Sequence, residues 1–515
     1  MTRRRLPIGI QTFRKIREQD CYYVDKTAYV RQLVNEGTHY FLSRPRRFGK
    51  SLLLNTIKEL FKGNEALFQG LSIHGHWDWS VRYPVVSLSF GSGTFRCVGD
   101  LADEVAEQLE LLERDAAISS RPAAAAARFR SLVRTLHDHT GQRVVVLVDE
   151  YDKPILDALD IPDVARANRD VLRGLYGVVK DCDEHVRFAF LTGVSKFSKV
   201  SLFSGLNNLT DITLNPHYGT ICGYTDTDID TVFAPELDGL DREEIRTWYN
   251  GYNWRGEASV YNPVDILQLL GRREFDAWWF ETGTPTFLVD TLLTRGVSGV
   301  DLEDMVASGD LLSSFDVGHM STEALLFQTG YLTITGEDNL AGKTLYRLGY
   351  PNREVRQSLN ERLLRAMIPD SSQQGTREIQ LYRLLHANDF DGLRALFEAF
   401  FASIPDDWHR KNDIARYEGY YASVFYAHFA ALGLDVTVEE SSSRGRMDMA
   451  VRFNGQIYLF EFEVVELAPQ GAAIEQLKAR RYADKYSGSG LPIHLIGMEF
   501  SRAEKNIVAF DVERV

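Results

Sequence analysis

The stretch Gly445–Glu466, GRMDMAVRFNGQIYLFEFEVVE, sets acids at Asp448, Glu461 and Glu463 on either side of Asn454-Gly455. An Asn-Gly pair between alternating strands predicts a two-residue hairpin, because both residues accept the positive φ of a type I′ turn. With that turn Phe453 faces Gln456, and counting down the ladder sets Asp448 across from Glu461 on one face. Their Cβ atoms would lie roughly 5 Å apart, and two like charges so placed cost free energy unless a cation lies between them. A metal site is one reading; acids on the wet face of a sheet are the other. The same count sets Glu463 across from Arg446, where an ion pair would account for it. Met447, Met449 and Val451 then meet Phe462, Phe460 and Tyr458 on the opposite face, a candidate core side.

A second chemical constellation lies near the N-terminus. Residues 40–62, YFLSRPRRFGKSLLLNTIKELFK, run from a short apolar strand through a loop ending Gly49-Lys50-Ser51 into a helix. Leu53, Leu54, Ile57, Leu60 and Phe61 share one face of that helix, and Gly63 stops it. This context suits a phosphate loop. The loop and helix N-terminus, Arg46, Arg47, Phe48, Gly49, Lys50, Ser51 and Leu52, would wrap the phosphates; Lys50 would reach the β- and γ-phosphates and Ser51 would ligate Mg²⁺. Arg44 stands where the usual pattern opens with glycine, and Arg44, Arg46 and Arg47 would add positive charge beside the anion. The bland alternative is a surface loop with a chance Gly-Lys-Ser.

A buried strand ending in paired acids, VVVLVDEYD (Val144–Asp152), strengthens the nucleotide reading. Asp149 would hold the Mg²⁺ shell and Glu150 would orient or deprotonate the attacking water. A further strand, Phe188–Thr192, ends in TGVSKFSK, where Thr192 or Ser195 is a candidate γ-phosphate sensor. Arg44, Arg46, Arg47 and Arg187 are all candidate arginine fingers, as is an arginine from another subunit.

The elements that must position these groups fall into three stretches. At 515 residues the chain exceeds one ordinary core. Strand-like runs at Tyr40–Leu42, Val85–Phe90, Val144–Val148 and Val186–Leu191 alternate with helical patterns such as Asp100–Arg114 and Ala123–His137. Alternation of this kind predicts an α/β domain with a mostly parallel sheet over residues 1–225. Residues 226–370 read as a mostly helical middle with short strands such as Tyr331–Ile334. Its aromatic clusters, WYNGYNW (Trp248–Trp254) and AWWFETG (Ala277–Gly283), suit packing better than base stacking. Pro369–Thr376 (PDSSQQGT) is the best linker. Residues 371–515 form a third domain, with helices to about Leu432 and then strands. Tyr417–Leu432 reads as an amphipathic helix whose Glu418 is a candidate third carboxylate. Gln476–Tyr486 reads as a helix with a basic face, and Ile493–Met498 as an apolar strand.

Composition narrows the class. The formal net charge is −14, so any nucleic-acid binding must use local basic patches. Four scattered cysteines without a CxxC pair argue for a reducing compartment and against structural zinc. No apolar h-region follows the arginines of MTRRRLPIGIQTF, and no run approaches a membrane span, so a cytoplasmic protein is expected.

These motifs together resemble a family of bacterial and archaeal proteins with an AAA-ATPase-like N-terminal domain and a PD-(D/E)XK nuclease-superfamily C-terminal domain. The resemblance is carried by YYVDKT (Tyr22–Thr27), SRPRRFGKSL (Ser43–Leu52), VDEYDKP (Val148–Pro154), TGVSKFS (Thr192–Ser198) and LFSGLNNLTDITL (Leu202–Leu214). It continues in WYNGY (Trp248–Tyr252), YNP (Tyr261–Pro263), FETGTPTFL (Phe280–Leu288), FQTGYLTI (Phe327–Ile334) and GYPNREVR (Gly349–Arg356). YEGYY (Tyr417–Tyr421), GRMD (Gly445–Asp448), LFEFE (Leu459–Glu463) and the Gln476…Tyr482 helix complete it. The arginine at position 44 also looks like this family. The resemblance implies a P-loop NTPase fold followed by a restriction-endonuclease-like α/β domain, with ATP as cofactor and nucleic acid, DNA first, as partner. It matches Lys50, Ser51, Asp149 and Glu150 to the ATPase motifs, Glu418, Asp448 and Glu461 to the nuclease acids, and Gln476 to the following helix. The nuclease metal would be Mg²⁺ or Mn²⁺, given oxygen ligands. ATPases of this type complete their sites across subunits, so a homo-oligomer is expected, and a defence or mobile-element role fits the family type. Glu463 departs from the pattern, standing where the family has lysine. Lys478 is a candidate displaced substitute, with Arg446 sharing the work; otherwise the nuclease is weakened or lost, or the site has become a binding or regulatory element.

Overall fold

A computed structural model of the chain describes residues 3–118, 124–197, 208–280, 286–312, 315–316, 319–367, 374–403, 418–442 and 445–515. The chain divides into two compact units. One comprises Met1–Gly283 with Met305–Asn352, the other Thr284–Asp304 with Arg353–Val515. The stretch expected to stand as a separate middle domain is thus shared between them. Its helix Arg353–Met367 packs on the C-terminal helix Glu418–Ala431. Its segment from Ile229 to Trp278 instead closes a core around Tyr22 and Val24.

The first unit is built on a five-stranded parallel sheet: β1 (His39–Ser43), β2 (Val85–Ser89), β3 (Val144–Asp149), β4 (Val186–Gly193) and β5 (Thr210–Asp211). The spatial order is β2-β3-β4-β1-β5, so β4 separates the strand that enters the phosphate loop from the strand that ends in paired acids. The strands read as unbroken apolar runs because both faces are covered. Phe41, Val86, Val146, Val148 and Leu191 pack with helices Asp100–Asp115, Ala125–Thr140 and Pro162–Asp181 on one face. On the other face Phe188 meets Phe61 of the helix Lys50–Phe61, with ring centroids 5.4 Å apart. The same unit takes in an antiparallel sheet of β6 (Met305–Ser308), β9 (Thr333–Leu340) and β10 (Lys343–Gly349), in the order β6-β10-β9, and a short hairpin of β7 (Phe315–Asp316) and β8 (His319–Met320).

The second unit carries a mixed five-stranded sheet. Its strands β11 (Asp435–Ser442), β12 (Gly445–Phe453), β13 (Gln456–Val465), β14 (Ile493–Ser501) and β15 (Asn506–Arg514) lie in chain order, and only β13 and β14 run parallel. The helix Ala472–Arg480 makes the crossover that this parallel pair requires. The turn between β12 and β13 is Asn454-Gly455, with φ of +50° and +69°. Phe453 pairs with Gln456 and Met449 with Phe460, the expected register. Met449, Val451, Tyr458, Phe460 and Phe462 form a core with Phe425 and Phe429 of the helix Glu418–Ala431. The other face is covered by the crossover helix through Ile474 and Leu477, which pack with Ala450, Leu459 and Leu495. Among the described residues no helix is long and apolar enough to cross a membrane.

Candidate nucleotide and metal sites

The carboxyl ends of parallel strands are where open α/β sheets bind ligands, and the nucleotide motifs collect there. The helix Lys50–Phe61 begins directly after Gly49, whose φ of +92° turns the chain from loop into helix. Lys50 is buried, and its ammonium donates to the carbonyls of Arg44 and Pro45, 2.9 Å from each. Burial pulls its pKa down, opposed by the carboxylates of Asp149, Asp152 and Glu150. Asp149 closes β3 and accepts the Glu150 N–H at 3.0 Å. Glu150 has φ +51°, so the strand ends abruptly, and its carboxyl lies against Gly91, where a β-carbon would be 3.4 Å away. A helix N-terminus, a desolvated ammonium and a carboxylate in one electrostatic neighbourhood fit a Mg²⁺-nucleotide. Lys50 and the helix amides would hold its phosphates, and Ser51 and Asp149 its cation.

Two expectations around this loop are corrected, for Arg44 and Thr192. Arg44 does not add charge beside the anion. It is wholly buried, and its guanidinium donates to the carbonyls of Ser43 (2.8 Å), Thr213 (3.0 Å) and Tyr218 (3.1 Å) while lying 4.3 Å over the Trp254 ring. Burial brings its pKa down to about 10. The Phe48 ring is buried edge-on to Tyr252 (4.7 Å) and Trp254 (5.2 Å), which leaves the expectation for its backbone in the loop untouched. Thr192 is fully buried and its hydroxyl donates to the Leu42 carbonyl at 2.9 Å, tying β4 to β1. Arg46 and Arg47 are exposed at the loop's crest.

The aromatic clusters are packing, as expected, but packing of a particular kind. The Trp279 indole donates to the Arg46 carbonyl at 3.2 Å, and Gly330 approaches Pro45 so closely that a β-carbon would stand 2.8 Å from its ring. The phosphate loop is therefore backed by Tyr252, Trp254, Trp279 and Gly330. Asp152, inside the quoted VVVLVDEYD run but without an assigned role, was missed. It is buried, accepts the N–H groups of Val194 (3.0 Å) and Ser195 (2.5 Å), and burial pushes its pKa up to about 6. A third acid after a buried strand was the available signal.

In the second unit, the β12–β13 register and strand alternation place Asp448 and Glu461 on the face covered by the crossover helix. Asp448 accepts the Phe462 N–H at 2.8 Å, and the Gln476 side-chain amide donates to the buried Glu461 carboxylate. The Tyr482 phenol, raised by its own burial, also feels the charges of Glu461 and Asp448. Two carboxylates from neighbouring strands, with neutral donors around them, fit a hard divalent cation. Glu418 opens its helix, but its side chain lies outside the described residues, as does that of Arg446. Among the described residues no group of three or more metal-ligating side chains occurs.

Lys478 is not brought to this pair. Its ammonium binds Glu513 at 2.6 Å and Glu475 at 3.4 Å. Glu463 points to the same face as Glu461 but pairs in register with Glu499 of β14. Burial pushes its carboxyl up, and the Glu499 charge adds to that.

A P-loop-like strand–helix unit on a five-stranded parallel sheet and a separate acid-bearing mixed sheet are the architecture of an ATPase-like domain joined to a nuclease-superfamily-like domain. Comparison with known families gives the same division: residues 7–203 match the family described as Predicted AAA-ATPase, and residues 416–510 match the PD-(D/E)XK nuclease superfamily. The chain is also 61% identical, over 514 residues, to "Uncharacterized protein in vnfD 5′region" of Azotobacter chroococcum mcd 1, a match covering 100% of this chain and 99% of the relative. The chain belongs to this family of AAA-ATPase-like proteins with a C-terminal PD-(D/E)XK nuclease-superfamily domain.

Proposed function

We propose that the protein binds and hydrolyses ATP and couples that cycle to a divalent-metal-dependent nuclease-like domain that acts on nucleic acid, DNA first. The observation that carries this reading is that one chain sets Lys50 and Asp149 at the carboxyl end of a parallel sheet and Asp448 and Glu461 on one face of a hairpin. Lys50 and the first helical amides bind phosphate; Ser51 and Asp149 hold Mg²⁺; Glu150 orients water. In the C-terminal domain Asp448 and Glu461, with Glu418, would hold Mg²⁺ or Mn²⁺, which when bound supplies Lewis-acid stabilisation and an activated water. Gln476 fixes the Glu461 carboxylate. The phosphate loop's contacts with Trp279 and Gly330 give nucleotide binding a route to the rest of its unit. The reading takes the protein as cytoplasmic and homo-oligomeric, in defence or on a mobile element.

A second reading is favoured by Glu463: a nucleotide-driven switch whose C-terminal domain binds nucleic acid or protein without cutting. A cleavage assay on single- and double-stranded DNA and RNA, with Mg²⁺ or Mn²⁺ and with or without ATP, separates the two. Asp448→Asn is the informative variant, because its amide oxygen still accepts the Phe462 N–H while the charge is gone. Cleavage lost in Asp448→Asn, in a chain that melts like wild type, supports the nuclease. ATP hydrolysis without cleavage under any condition supports the switch.

A further inference from the structure

The phosphate loop has its carbonyls claimed by donors that lie away from its crest. The Lys50 ammonium is 2.9 Å from the carbonyls of Arg44 and Pro45. The Trp279 indole N–H donates to the Arg46 carbonyl at 3.2 Å, and the Gly223 N–H donates to the Phe48 carbonyl at 3.2 Å. Trp279 is buried, whereas Arg46 and Arg47 are exposed. A trans peptide is planar, so its N–H points away from the side to which its C=O points. With the Pro45, Arg46 and Phe48 carbonyls held inward, the N–H groups of Arg46, Arg47 and Gly49 are turned to the open side of the loop. Among the described residues these N–H groups make no hydrogen bond.

The backbone angles have the same sense. Arg47 has φ +69° and Gly49 φ +92°. Left-handed residues beside right-handed ones gather successive amides into a concavity that takes an anion. Glycine adopts that conformation freely, but a residue with a β-carbon does not, and it persists there only where its surroundings fix it. The peptide that enters Arg47 is the one that Trp279 holds.

We infer that Trp279 is a positioning residue of the nucleotide site: its indole N–H fixes the Arg46–Arg47 peptide so that the Arg47 N–H donates to a phosphate oxygen of the bound nucleotide. Without that donor the Arg46 carbonyl is unpaired on the buried side, and rotation of the peptide toward water would set an oxygen where the anion binds. The inference rests on the ATPase reading above.

The test uses the full-length chain, with calorimetric titration of Mg²⁺-ATP and of inorganic tripolyphosphate alongside thermal unfolding. Trp279→Phe keeps an aromatic ring and removes the N–H. Affinity for both ligands should fall by the same factor, on the order of 10-fold, the scale of one hydrogen bond to an anion. A lower melting temperature with wild-type affinity for both ligands would mean that Trp279 only packs, and overturns the inference. A loss confined to ATP overturns it too, because the phosphates would then not be what Trp279 serves. Benzothienylalanine installed at position 279 keeps the shape of the side chain and puts sulfur in place of the indole N–H. It should reproduce the loss, and wild-type affinity in that variant overturns the inference even where Trp279→Phe fails to fold. A wild-type chain that binds neither ligand overturns the nucleotide reading instead.

Discussion

Glu463 and Glu499 are register partners on the parallel strands β13 and β14, two carboxylates side by side on the face that carries Asp448 and Glu461. Glu499 accepts the N–H groups of Gln470 and Ala472, each at 2.5 Å, at the start of the crossover helix, where a carboxylate suits the helix N-terminus. Glu463 is pushed up by burial and by that neighbouring charge. A lysine at 463 would instead meet Glu499 as an ion pair. Glu463→Lys should therefore raise the melting temperature of the C-terminal domain slightly, corresponding to about 0.5 kcal/mol, and increase Mn²⁺-dependent cleavage of nucleic acid. Glu463→Gln, which relieves repulsion without supplying a cation, should reproduce the first effect and not the second. Equal cleavage by the lysine and glutamine variants would show that the missing ammonium is not what limits the site.

Gly497 sets the distance between the crossover helix and its sheet. A β-carbon at 497 would stand 2.4 Å from the Ile474 backbone nitrogen, a contact with backbone that a rotamer change cannot relieve. Gly497→Ala should destabilise the C-terminal domain by about 1–3 kcal/mol and lift Gln476 from Glu461. Calorimetry on the full chain should show the loss in one transition, with ATP binding unchanged. A wild-type melting profile would mean that the helix slides without cost.

His428 gives the C-terminal domain an acid sensitivity. It packs edge-on against Phe397 and Phe400, with centroids 5.4 and 4.5 Å away, and its Nδ1 lies 3.0 Å from the Val424 carbonyl. Burial lowers its pKa from 6.5 to about 4. The unfolded chain therefore binds more protons than the folded one between those values, so stability falls as pH drops from 6.5 towards 4. His428→Leu cannot titrate. Relative to wild type, its melting temperature should decline less over that interval, and the gap between the two should be constant above pH 7. Parallel curves throughout would rule the histidine out as the source.

Much of this was legible in the sequence wherever one residue's chemistry fixed local geometry. Asn454-Gly455 set the hairpin register, and the apolar runs of β1, β3 and β4 marked strands covered on both faces. Side-chain partners supplied by distant segments were not legible. Lys478 had the right charge and a nearby position on the crossover helix, but Glu513, on β15, claims it. Thr192 lies one residue from the end of the right strand, but its hydroxyl is taken by a neighbouring backbone that sequence spacing does not reveal. Asp152 was visible as a third acid. Its hydrogen bonds depend on Gly193, which ends β4, and on Ser195 just beyond it, which only the fold brings to it.

Arg44 offers a counterintuitive test of the same kind of dependence. By motif, Arg44→Gly restores the usual opening glycine and ought to improve a phosphate loop. By structure, it removes a guanidinium that satisfies the carbonyls of Ser43, Thr213 and Tyr218 and fills the space beneath the Trp254 ring. Ser43 and Thr213 end or follow β1 and β5, and Tyr218 reaches the helix Thr27–Glu36 through its hydrogen bond to Glu36 at 2.6 Å. The loss would leave buried acceptors unpaired and a cavity at the base of the loop, a cost on the order of 3 kcal/mol or more. Arg44→Gly should therefore melt earlier than wild type and bind ATP more weakly. Arg44→Lys should fall between them, because one ammonium cannot span the three carbonyls that a planar fork reaches. The comparison is made by thermal unfolding and ATP titration of the full chain. A glycine variant that is as stable as wild type and binds ATP more tightly would return Arg44 to the role of a replaceable loop residue.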